Sequence, residues 1–130
     1  MSEQGKNNDG FRKSQDLGVR LASYAGRVVA MISDLPDTIE GRHLRDQLLR
    51  SATAPGAHYA EARSAQTRDD FIYKLSLAAK EARESNYWLR VIVEAGLGDT
   101  EATAISREAN ELVAILFQSL QTARANRNGN

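Results

Sequence analysis

Apolar side chains return every three or four residues along most of this chain, and the returns divide it into four segments. In the first, Leu17, Leu21, Tyr24, Val28, Ile32 and Leu35 share one face of a helix that starts near Ser14, a good capping residue, and stops at Pro36. Asp37 stands three residues before Glu40, a capping-box-like start for a second helix through Leu44, Leu48 and Ala52 to about Arg63. Ser64, Ala65 and Gln66 form a short polar joint, after which Thr67 caps a third helix. Its heptad-spaced row is Ile72, Leu75, Ala79, Ala82, Asn86, Leu89 and Val93, and Gly96 and Gly98 end it. Asp99 or Thr100 caps a fourth helix with the row Ala102, Ile105, Ala109, Leu112, Leu116, Leu120 and Ala123.

Four amphipathic helices with short connections predict an all-α, antiparallel up-and-down four-helix bundle, since short links set successive helices side by side. Strand signals are absent. The expected organisation is a disordered tail over 1–10, the bundle over 11–125 and a second disordered tail over 126–130. At 130 residues the chain suits one domain.

The absence of cysteine removes disulfides, thiolate metal sites and a cysteine nucleophile, and it fits a reducing compartment. The opening MSEQGKNNDG lacks the apolar run of a signal peptide, and nowhere do eighteen apolar residues run together. A soluble cytoplasmic protein without a membrane partner is expected. Seventeen basic residues balance seventeen acidic ones, so the chain as a whole has no field that draws it onto nucleic acid. Such binding must come from local clustering or from assembly.

The stretch RSATAPGAHYAEAR, residues 50–63, places Pro55 and Gly56 inside the predicted second helix. Thr53, Gly56, Ala57 and Ala60 lie at i, i+3, i+4 and i+7, a face of small side chains that lets another backbone approach closely. Pro55 has no N–H to donate and crowds the Ser51 carbonyl, so a bend near Ser51 is expected, either to wrap the core or as a hinge.

RSATAPGAHYAEAR followed by DDFIYKLSLAAKEARESNYWL closely resembles the four-helix bundle protein family, also known as the 23S rRNA intervening-sequence protein family. The matching branch reads RS-x-TS-[VI]-GANYREA and then DFI-x-K-x-x-I-x-x-x-EA-x-ES-x-YWL. Arg50, Ser51, Thr53, Gly56, Ala57, Tyr59, Glu61 and Ala62 fit the first motif. Asp70, Phe71, Ile72, Lys74, Glu81, Ala82, Glu84, Ser85, Tyr87, Trp88 and Leu89 fit the second. The chain departs at Pro55, where the motif has an aliphatic residue, and at His58, where it has asparagine. The resemblance covers roughly residues 11–97. It implies an antiparallel bundle that assembles as a ring of five subunits. A distant branch serves as accessory proteins of diversity-generating retroelements, with a strongly basic ring that engages nucleic acid and a reverse transcriptase. This chain differs from that branch in being neutral.

Candidate chemistry is sparse. Lys13, Arg20 and Arg27 repeat every seven residues on the first helix, a candidate nucleic-acid contact that a ring would multiply. The same spacing also describes a solvated face, and no aromatic residue is interleaved with it. A metal-carboxylate bundle would use Glu81 and Glu84 with His58 and Glu61, but the His and Glu stand in reverse order and no companion appears on the other helices, where Asp16, Glu108 and Glu111 read as surface positions. The competing reading is a partly buried polar network or subunit interface of Arg50, Tyr59, Glu61, Glu84 and Asn86. His43 stands alone beside Arg42 and Arg45, and no serine is placed against a histidine and a carboxylate. Adjacent Tyr87 and Trp88 must face different neighbours. The sequence therefore predicts a non-enzymatic oligomeric binding or scaffold protein without a cofactor. Its partners are copies of itself and RNA or DNA; the alternative is a pure adaptor for a protein encoded nearby.

Overall fold

The computed structural model describes residues 3–129, so the parts of the expected tails at 1–2 and 130 lie outside the described residues. Four helices follow one another: α1 Glu3–Ile32, α2 Ile39–Arg63, α3 Arg68–Glu94 and α4 Thr100–Gly129. Cross-helix pairs fix their directions. Arg20 meets Glu108 while Arg27 meets Glu101, Arg50 meets Glu81 while Glu61 meets Lys74, and Arg83 meets Phe117 while Asn86 meets Asn110. In each case a later residue on one helix meets an earlier one on the next, so neighbours run antiparallel around a square. The α2–α3 and α3–α4 seams are the closest, and α1–α4 is the loosest.

The predicted apolar rows of α1, α2 and α4 form the core. The heptad row of α3 needs correction: Asn86 is only half-buried and Val93 is exposed, while Ser85 and Ile92 are buried in their place. A straight helix repeats every 3.6 residues, so a strict seven-residue spacing drifts off the buried face within two heptads. Across the core diagonal, the Tyr24 hydroxyl of α1 lies 2.7 Å from Ser85 Oγ of α3. Ser85 donates its own proton to the Ala82 carbonyl, which makes Tyr24 the donor of the pair.

The helix ends show what stops each element. The sequence predicts an α1 start at Ser14 and tails over 1–10 and 126–130, whereas α1 begins at Glu3 and α4 reaches Gly129. Neither stretch contains proline, and an established helix propagates more readily than a new one nucleates. The α2 cap is Thr38 and not Asp37: the Thr38 hydroxyl accepts from the Gly41 amide at 3.1 Å, while Asp37 lies one position too early and pairs with Arg42. Gly41 is required there, because a Cβ would overlap the Pro36 carbonyl oxygen. Arg45 donates to the Ile32 and Leu35 carbonyls and closes the end of α1. Thr67 caps α3 as expected, through the Asp70 amide. Gly96, at φ 71°, ends α3 in a Schellman turn with Leu97 N–H donating to Ile92 and Gly96 N–H to Val93. Asp99 caps α4 by accepting from Glu101 and Ala102. No helix among the described residues is long and apolar enough to cross a membrane.

Candidate functional site

The two quoted motifs meet along the α2–α3 seam. Glu81 and Glu84 are one turn apart on α3, so their carboxylates converge on the forked guanidinium of Arg50 from α2. Arg50 donates to Glu81 at 3.0 Å, to Glu84, and to the Gln47 side chain at 3.2 Å. Trp88 donates its indole N–H to Glu84 at 3.0 Å, and the rings of His43 and Tyr87 stand edge-on to the Trp88 ring. Toward the other end of the seam Lys74 donates to Glu61 at 3.0 Å. That bond holds the Glu61 carboxyl below its ordinary range and raises the Lys74 ammonium. These motif residues thus fix the register of α2 against α3.

Within the expected polar network, Glu61 and Asn86 turn to partners outside it. Arg50 and Glu84 are joined, but Glu61 belongs with Lys74, and Asn86 donates to Asn110 of α4 at 2.6 Å. Tyr59 is buried beside Gly18, where a built Cβ would lie 3.8 Å from its ring. The carboxylates of the metal reading are engaged by cations: Glu81 and Glu84 by Arg50, Glu61 by Lys74. Among the described residues no three His, Asp or Glu side chains converge. His58, on α2 next to the buried Tyr59, keeps a shielded Nδ1 without a hydrogen-bond partner.

The basic stripe of α1 faces α4. Arg20 forms a two-pronged pair with Glu108 at 3.1 and 2.7 Å and lies 3.7 Å from Glu111. Arg27 reaches Glu101 at 3.0 Å, and Lys13 is exposed. The hydrogen bond from Arg20 lowers the Glu108 carboxyl, and the same bond raises Arg20 further. Two of the three stripe cations therefore fasten the α1–α4 seam, with their charge matched by α4.

Turning away from that seam, the outer face of α1 from Gly18 to Ser33 carries no charge: Val19, Ala22, Ser23, Gly26, Val29 and Ala30 are all exposed, Val19 at 68% and Val29 at 49%. The small face of α2 lies beside it. Gly56 makes the expected close approach, with a built Cβ 3.6 Å from Leu21 Cβ and 3.8 Å from its backbone. Thr53, Ala57 and Ala60, expected on the same close-packed face, are all exposed. Pro55 is fully buried and α2 continues through it. Close packing is thus centred on Gly56, and a shallow cleft along the α1–α2 seam is lined by Gly18, Val19, Ala22, Gly56, Tyr59 and Ala60, with Asp16 and Arg63 at its rim.

A second exposed face lies on α3, outside the sequence expectations. Tyr73, Lys80 and Tyr87 repeat every seven residues, with Arg83 and Arg90 beside them. That spacing was visible in the sequence, but the buried heptad of the same helix obscures it.

The family described as 23S rRNA-intervening sequence protein matches residues 19–118. A crystal structure of a protein with unknown function from the S23 ribosomal protein family of Bacteroides thetaiotaomicron VPI-5482 is similar, with 31% identity and a TM-score of 0.75. The likeness covers 84% of this chain and 98% of that one. No curated protein matches the chain.

Proposed function

The chain belongs to the 23S rRNA-intervening sequence protein family, and from that premise we propose that it is a non-enzymatic, self-assembling bundle that serves as a binding scaffold for nucleic acid or for an enzyme acting on it. The observation that carries this reading is the uncharged outer face of α1. Solvated helix faces are ordinarily rich in charge, and a long exposed run made mainly of Val, Ala and Gly lowers solubility unless another surface covers it. A second copy of the chain is the occupant that the family resemblance expects, with five copies closing a ring. Assembly would also multiply whatever nucleic-acid contacts a neutral subunit makes.

Light scattering on the purified chain tests the assembly, with a mass of several subunits expected. Placing Glu at both Ala22 and Val29 inserts charge into the face without touching the core, so this variant should run as a monomer with unchanged helix content. A wild-type monomer at tens of micromolar overturns self-assembly. Fluorescence anisotropy with labelled RNA and DNA across a salt series tests the second half. No binding at low salt retires nucleic acid and leaves a protein adaptor.

A further inference from the structure

Resting on that reading, we infer that the outer face of α3 is the surface that takes nucleic acid, and that it takes single strands. On a helix, residues seven apart fall within about 20° of one line, so Tyr73, Lys80 and Tyr87 form a straight file about 21 Å long. Both tyrosines are 58% exposed, an unusual state for large rings with apolar bodies. Arg83 and Arg90 run parallel to the file on its α4 side. The combination is a row of open aromatic faces alternating with cations, which is what a flexible polyanion with unstacked bases requires.

The pairing of charges separates this face from the α1 stripe. Arg20 and Arg27 are held by carboxylates of α4. Lys80 and Arg90 have no carboxylate within salt-bridge distance among the described residues, and Arg83 lies over the Phe117 ring at 3.9 Å from its centroid. Of the acids near the file, Glu84 is tied to Arg50 and Asp69 to Arg127. Asp70 and Glu94, at the two ends of α3, lie beyond the Tyr73–Arg90 stretch. The Arg50 fork and Trp88 also stiffen the base of the file, since Trp88 is held by Glu84 and Tyr87 rests edge-on against it. A duplex keeps its bases stacked on one another, so it offers phosphate to the cations but no base face to the tyrosines.

The position suits an assembled scaffold. Helices α1 and α3 occupy opposite corners of the bundle, with no backbone contact between them. A closed ring joins two unlike faces of each copy, so α3 stays open where the outer face of α1 meets α2 or α4 of the next copy.

The test measures anisotropy of labelled oligouridylate, oligodeoxythymidine and an RNA duplex with the full chain at several salt concentrations. Wild type should prefer both single strands to the duplex. Tyr73→Ala with Tyr87→Ala should weaken single-strand binding at least about 30-fold, while Tyr73→Phe with Tyr87→Phe retains it, because stacking needs the ring and not the hydroxyl. Lys80→Gln with Arg90→Gln should flatten the salt dependence by about 0.7 log units per lost phosphate contact. All these positions are on the outside, and circular dichroism with light scattering verifies that fold and mass persist. If wild type binds and the α3 variants bind equally well, or if the duplex is preferred, the assignment to α3 is wrong while the scaffold reading stands. If loss follows Lys13→Gln, Arg20→Gln and Arg27→Gln instead, the site is on α1. If wild type binds no polynucleotide, the nucleic-acid reading itself falls.

Discussion

Tyr24 carries a titratable group into the core, where the residue is only 2% exposed. Burial, partly offset by the Ser85 hydrogen bond, pushes its phenol up to about 12. A group with a raised folded pKa contributes stability that is complete below its unfolded value near 10 and is lost as pH climbs toward 12. Two units correspond to about 2–3 kcal/mol, so thermal unfolding should drop sharply between those pH values. Tyr24→Phe should cost about 1 kcal/mol at neutral pH and remove most of that alkaline loss. Glycines separate in the same way. A methyl group at Gly41 would collide with the Pro36 carbonyl, so Gly41→Ala should destabilise by about 2–3 kcal/mol. At Gly56 a methyl finds ordinary contact with Leu21, so Gly56→Ala should stabilise by up to about 1 kcal/mol through helix propensity. Gly56→Leu should force α1 outward. Chemical denaturation of the three variants checks this order.

At the level of elements, much of the bundle was legible because helix caps and apolar spacing are local signals. Thr67, Gly96 and Asp99 act where the sequence places them. What stayed hidden depends on partners from distant parts of the chain. Nothing near Arg20 announces Glu108, eighty-eight positions away, and so a stripe that reads as free charge proves to be a seam. Arg50 and Glu84, which the sequence reading places in one network, meet in the structure and are joined by Glu81, which that reading leaves out, while Glu61 turns to Lys74 and Asn86 to Asn110. The α1–α4 seam should respond to acid. Glu108 has a depressed pKa, so its contribution is present above about pH 4.5 and disappears as pH falls through the lower folded value. Partial exposure limits that contribution to about 0.5 kcal/mol. Glu108→Gln should therefore reduce stability slightly at pH 7 and not at pH 3, as urea titrations at both pH values would show.

For the molecule as a whole, the sequence conveyed a neutral net charge, and neutrality concealed how that charge is arranged. Acids and bases cancel across the α1–α4 and α2–α3 seams, one corner of the square is left uncharged and the opposite corner is left basic. Composition cannot report such a division, because it follows from which helices are diagonal. The looseness of α1 carries a kinetic corollary. Helix α1 shares the core through its apolar row, but its backbone lies close to α2 alone along much of its length and only loosely to α4, whereas α2, α3 and α4 are tightly joined in sequence. Helix α1 should then open as a sub-global unit ahead of the rest, its amides exchanging with deuterium at a lower free energy than those of α2 and α3. In an assembly built on α1, the same opening would let one subunit's first helix dock into its neighbour's vacated groove, so exchange of subunits and exchange of helices would share a rate-limiting step.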